Sequence, residues 1–106
     1  MVSVRNVGEY MECGAYEAKD NRRIVLHKAS GWRKEIKYIV KSYSSMMLSY
    51  VLFCYPYAET EEEEVRGCVN LYHDDEAVID AILTSAIETG DVNLDLFYAE
   101  EGVFLE

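Results

Sequence analysis

The side chains best suited to nucleophilic or soft-metal chemistry are three cysteines, Cys13, Cys54 and Cys68, and two histidines, His27 and His73. A Cys–His dyad needs the imidazole beside the thiol so that a thiolate can form, and no spacing here puts one there. Zinc sites normally declare themselves by close ligand pairs such as CxxC. The nearest grouping is His73 with Cys54 and Cys68, plus His27 as a fourth ligand, and it depends wholly on strand register. Free cysteine acting as a small core residue accounts for all three thiols more simply, with a cross-strand Cys54–Cys68 disulfide as the alternative. An odd, widely spaced set also fits a reducing cytoplasm, the expected location.

The run His73-Asp74-Asp75-Glu76 offers oxygen ligands to a hard divalent cation. Consecutive acids at a helix start point in different directions, however, and capping together with the helix dipole explains them without a metal. The six glycines are scattered and form no GxGxxG, P-loop or GxSxG motif. The expectation is therefore a protein with no catalytic residues, no metal and no cofactor.

Charge is the feature that rises above background. Of 106 residues, 20 are Asp or Glu and 10 are Lys or Arg, for a net charge of -10. Residues 1–41 hold nine of the ten cations and five acids, a net of +4; residues 42–106 hold Arg66 against fifteen acids, a net of -14. Such self-repulsion has a cost that a cationic partner would relieve, while long-range attraction speeds association. The acidic remainder includes Glu59, Glu61, Glu62, Glu63, Glu64, Asp74, Asp75, Glu76 and Asp80, with Glu88, Asp91, Asp95, Glu100 and Glu101. Tyr57 and Tyr72, among other tyrosines, supply the amphipathic anchors common at interfaces. Arg33, Lys34, Lys37 and Lys41 form a basic stripe, but the overall charge argues against nucleic acid or an anionic membrane as a direct partner.

The elements that must position these groups follow from periodicity. Length and a hydrophobic fraction of 50% suit a single domain over residues 1–106. No apolar run approaches the ~18 residues of a membrane helix, and residues 1–10 lack the marks of a secretory signal. Residues 9–18 and 22–29, joined through Lys19-Asp20-Asn21, read as a hairpin. Residues 30–45 read as a helix, with Trp32, Ile36, Ile39, Val40, Tyr43 and Met47 on one stripe and Ser30 as cap; the competing strand reading is broken by Ile39. Residues 47–57 are apolar on both faces, as in a strand buried on both sides, with Pro56 marking a terminus or edge.

Those residues and 65–72 form a second hairpin about an acidic loop. Centring it on Glu61 places Val69 opposite Phe53, Leu71 opposite Val51 and Cys68 opposite Cys54; a slip of one reverses every side chain. Residues 75–89 are the clearest helix: Asp74 as N-cap, an apolar face of Val78, Ile79, Ile82, Leu83, Ala86 and Ile87, and Gly90 after the last turn. Val92, Leu94, Leu96 and Tyr98 alternate as a strand, followed by a turn over 99–102 and a short strand at 103–105. The expected fold is α+β, an antiparallel sheet of four to six strands carrying the helix at 75–89 and a candidate second helix at 31–45.

The expected function is a non-enzymatic inhibitor that docks its carboxylate and tyrosine surface onto the basic, nucleic-acid-binding cleft of a nuclease or similar effector. The composition is of the type shared by phage-encoded antirestriction and anti-CRISPR proteins. Two alternatives stand beside it: an immunity protein of a nuclease toxin, and a self-associating assembly protein or homodimer in which the basic segment of one copy meets the acidic segment of another.

Overall fold

The computed structural model describes residues 10–97 and the backbone of Val103–Leu105. The chain is α+β. Its strands are β1 (Met11–Tyr16), β2 (Ile24–His27), β3 (Arg33–Ser44), β4 (Ser49–Pro56), β5 (Val69–His73), β6 (Asp91–Asn93) and β7 (Val103–Leu105). The helices are α1 (Glu61–Arg66), α2 (Glu76–Thr89) and the single turn α3 (Leu94–Phe97). One sheet runs β6-β2-β3-β4-β5-β7, with β1 also paired to β3. No helix among the described residues is long and apolar enough to cross a membrane.

Residues 31–45 are not a helix; most of them form β3, the strand on which the sheet is centred. The extra residue is Lys37: Ile36 faces Pro56 and Tyr38 faces Tyr55, so the register shifts by one between them. Such a bulge puts two residues of one strand opposite one of its neighbour. Ile36 and Ile39, three apart, consequently enter the same core cluster. The i, i+3 spacing that imitated a helix is a strand with one residue looped out.

The expected first hairpin is also reorganised. β1 and β2 do not pair with each other; both run antiparallel along one edge of β3, with Tyr16 opposite Ile39 and Ile24 opposite Ile36. They lie end to end, and the seven strands fill six positions. Between them Lys19–Asn21 form a 3-10 turn in which Asp20 and Asn21 take positive φ, 59° and 55°, a region these residue types tolerate. The turn residues act as expected, but they step the chain outward and back rather than reversing it.

β4 and β5 do form the second pair, in a register one residue away from expectation: Phe53 faces Asn70, Leu52 faces Leu71 and Cys54 faces Val69. The connection is not a symmetric acidic loop but contains α1, capped by Thr60. The slip sends Cys54 to the face under α2 and Cys68 to the opposite face, and both thiols are free. Burial pushes the Cys54 thiol well above its ordinary pKa. As expected, β4 is buried on both sides from Val51 to Tyr55 and stops at Pro56, though it lies inside the sheet rather than at an edge.

α2 packs Ile79, Ile82, Leu83 and Ala86 against Ile24, Leu26, Ile36, Ile39, Leu52, Val69 and Leu71. Its N-cap is Asp75, one residue later than expected; Gly90 ends it in the left-handed region at φ 72°, where its amide bonds Ser85 and Ala86. A side chain there would meet the Arg23 carbonyl at 2.4 Å. α2 carries the chain across the sheet face, so that β6 lies parallel to β2 and the sheet is mixed rather than wholly antiparallel. The strand expected from Val92 onward ends at Asn93, whose side chain accepts from the Asp95 amide and starts α3. β7 pairs with β5. Tyr98, the expected turn over 99–102, Glu100 and Glu101 lie outside the described residues.

The opposite face of the sheet carries a smaller cluster of Val40, Val51, Phe53, Tyr55 and Cys68, against which Tyr10, Tyr38 and Tyr72 pack. Tyr38 stacks on Tyr55 at 4.9 Å, and Tyr10 meets Phe53 edge-on at 5.7 Å.

Candidate acidic docking surface

The acids singled out from the sequence separate into two clusters. β4 runs from Ser49, beside the β3–β4 turn, to Pro56, after which the chain enters α1. Tyr50 faces His73, which leads into α2, so α2 begins at the turn end and α1 sits at the other. Six residues of strand separate the two, about 20 Å at the usual rise.

At the α1 end stand Tyr57, Glu59, Glu61, Glu62, Glu63 and Glu64. Thr60 Oγ1 accepts from the Glu63 amide at 3.1 Å, and Glu63 Oε1 accepts from the Glu59 amide at 3.2 Å, a variant of the capping box that uses the residue before the cap. Four glutamates at a helix N-terminus are favoured by its dipole. Glu62 pairs with Arg66 at 3.3 Å, and Glu64 accepts from the Tyr38 hydroxyl at 3.0 Å. Burial, then this bond to Glu64, pushes the Tyr38 phenol well above its ordinary value. The Arg23 guanidinium lies 4.7 Å over the Tyr57 ring and also bonds Glu35 at 2.6 Å. Hydrogen bonds from Arg23 and then Arg33 hold Glu35 below the usual carboxylate range. Cations are thus close to this cluster.

At the turn end stand Asp74, Asp75, Glu76 and Asp80. Asp75 Oδ1 caps α2 through the Ala77 amide at 2.9 Å, and the Asp75 amide donates to His73 Nδ1 at 2.9 Å. Asp74 Oδ1 lies 3.3 Å from that same nitrogen. Glu76 and Asp80 converge on Lys41, whose Nζ is 2.7 and 2.6 Å from them. Lys41 is 8% exposed. Burial pulls its ammonium down, but the bonds to Asp80 and Glu76 outweigh this and leave it above the ordinary lysine value. The Lys41 bond, then that from Tyr50 at 3.1 Å, holds Glu76 below its ordinary value. Tyr72 lies on the other face of the sheet, packed against its smaller cluster.

Of the contributors at this end, sequence reasoning has Tyr50 among its interface tyrosines but misses Lys41, Tyr43 and the β3–β4 turn. Lys41 was assigned to a solvated stripe; in β3 it shares the Ile39 side of the strand, beneath α2. Tyr43 and Tyr50 face each other across β3 and β4 with ring centroids 4.5 Å apart. The turn exposes Met46 (81%), Met47 (53%) and Leu48 (65%), where Met47 was expected on a buried stripe; Ser44-Ser45 ahead of them was the available signal for a turn. Leu48, Tyr43 and Tyr50 join Asp74, Asp75 and Glu76 around an open groove of about 560 Å³.

The remaining chemistry-bearing groups stay apart. His27 Nε2 pairs with Asp91 Oδ1 at 2.9 Å across β2 and β6. Among the described residues no three His, Cys, Asp or Glu side chains are placed to hold a metal. No known protein family, curated protein or solved structure matches this chain.

Proposed function

We propose that this protein is a non-enzymatic inhibitor that docks a carboxylate and tyrosine surface onto a basic, nucleic-acid-binding cleft of a partner protein. Its specific form is an inhibitor of a nuclease or related effector, of the kind phages direct against host defence. The observation that carries this reading is the charge balance of the turn end. Asp74 and Asp75 are exposed there, and the nearby cation, Lys41, is buried and already shared by two other carboxylates. The described cations otherwise gather elsewhere: Lys28, Arg33, Lys34 and Lys37 at the far end of β2 and β3, and Lys19 and Arg22 beside the C-terminus of α2. A surface carrying carboxylates without nearby cations accelerates encounter with a cationic cleft, and tyrosines supply contact area at low entropic cost.

The test couples capture to competition. The protein is cross-linked in its native cells, the retained partner purified, and that partner's affinity for nucleic acid measured with and without added protein. Loss of nucleic-acid binding that weakens as salt rises is expected. A retained partner that never binds nucleic acid, or keeps it at saturating inhibitor, overturns the proposal.

A further inference from the structure

We infer that the groove between the β3–β4 turn and the start of α2 is the docking site itself, and that its occupant is an extended basic segment of the partner that alternates apolar and Arg or Lys side chains. The inference deepens the inhibitor reading and rests on it, since it names which surface meets the partner and what the partner presents.

Three observations meet at this place. One wall is apolar and aromatic: Leu48, Tyr43 and Tyr50. The other is anionic: Asp74, Asp75 and Glu76. Glu76 already holds Lys41 and Tyr50. Asp74 and Asp75 are exposed, and although Asp75 Oδ1 caps α2 and Asp74 Oδ1 lies 3.3 Å from His73, each has a second carboxylate oxygen to offer a cation. A lysine or arginine side chain has the matching shape, with an aliphatic stem to lie on the rings and a charged head to reach the carboxylates. The groove, about 560 Å³, is open to solvent, so side chains of a partner segment can enter it from above.

The turn supplies the third observation. Leu48 is exposed and sits at φ 50°, a conformation that branched and bulky residues avoid. Stability alone would favour Asn or Gly at that position and a polar residue at Met46 and Met47. Three exposed apolar side chains beside an anionic groove instead offer a partner an apolar patch with a charged margin. Met46 and Met47, flexible and polarisable, adapt to an apolar partner surface. The α1 end has a groove of its own, about 410 Å³ between Glu61, Glu62, Val65 and Arg66, but there Arg66 already pairs with Glu62 and Arg23 already covers the Tyr57 ring.

Amide chemical shifts of the full chain, titrated with a short acetylated peptide alternating Leu and Arg, test the assignment. Shifts are expected at Tyr43, Leu48, Tyr50, Asp74 and Asp75. The affinity should fall roughly tenfold in the double variant Asp74→Asn/Asp75→Asn, whose asparagine still caps α2, and by a similar factor in Leu48→Asn. Replacing Glu61 to Glu64 by Gln should leave it within about twofold, since those charges lie beyond a Debye length at physiological salt. Four outcomes overturn the inference: no binding, shifts centred on α1, equal binding of a Leu–Glu peptide, or the same shifts produced by raising the protein's own concentration, which would make a second copy the occupant. The broader reading fails separately. If the groove takes the peptide but captured partners never bind nucleic acid, the docking site stands and the inhibitor role does not.

Discussion

The two acidic clusters begin with the same local device and end with different physical characters. Each is a helix start capped by a side-chain oxygen, Thr60 in one case and Asp75 in the other. Each places acids in the first turn. α1 buries none of its residues, so its glutamates are fixed mainly by their own helix and by rim contacts to Tyr38 and Arg66. α2 is anchored by four buried side chains, and its first turn is tied to the middle of the sheet through Lys41. A run of carboxylates is therefore not one kind of object. At α1 it decorates a peripheral turn, whereas at α2 two of its half-exposed members, Glu76 and Asp80, hold a buried amine that consumes part of the charge.

Removing that amine is the largest perturbation available to the comparison. Lys41→Met keeps the aliphatic stem and deletes the charge, leaving Glu76 and Asp80 to repel each other. Because those two carboxylates are half exposed, the expected loss is about 2–3 kcal/mol rather than the larger cost of a fully buried orphan charge. The pH dependence gives a second readout. The folded pKa of Glu76 is depressed, so its contribution is present above the ordinary value near 4.5 and is lost as pH falls through the depressed one. Lys41 is raised, so its contribution holds through neutrality and is lost only in strong alkali. Denaturant melts from neutral to acid pH should show a shallower acid decline in Lys41→Met than in the wild type. Equal declines would mean that the cluster is not coupled to the stability of the fold.

The caps come next. Asp75→Ala should lower global stability by about 1 kcal/mol, since α2 cannot fray at its first turn without disturbing packed side chains. Thr60→Ala removes an equivalent hydrogen bond, yet the global change should stay below about 0.5 kcal/mol, with faster hydrogen exchange confined to α1, at the Glu63 amide that loses its acceptor and at the Glu64 and Gly67 amides. Equal effects at the two caps would show that α1 is as integral to the fold as α2, and the contrast would fail.

How much of this was legible in the sequence depended on whether the signal was local. α2 was readable because capping residues, a 3.6-residue apolar face and Gly90 agree within one stretch of chain. β4 was readable because its residues are apolar on both faces. β3 was not, since a single bulge at Lys37 shifts the alternation by one and brings Ile36 and Ile39 to the same face. The β4–β5 register was missed for a related reason: the connection contains α1 and brings Gly67 against Pro56, so it is not a loop symmetric about Glu61. For the candidate site, the acidic residue types were visible but their division was not. Nothing local to Lys41 indicates that a lysine among basic neighbours will face Glu76 and Asp80, 35 and 39 residues away. The exposed turn was hidden by its own composition, because Met46, Met47 and Leu48 resemble core residues in any reading based on hydrophobicity.

The smallest expected effect has the most informative sign. Leu48 holds a positive φ, for which an L-residue with a bulky side chain incurs roughly 1–2 kcal/mol relative to one adapted to it. Asn adopts that region more readily. About two-thirds of Leu48 is exposed, so little burial is lost on replacement, although loss of the part that is covered offsets some of the gain. Leu48→Asn should therefore stabilise the protein by about 0.5 kcal/mol in urea denaturation, while weakening the groove's hold on a basic peptide. A stability gain with a binding loss would mark Leu48 as a residue kept for contact rather than for folding. A stability loss would make it the packing anchor of the β3–β4 turn, and the turn end would then be explained by folding alone, as α2 is.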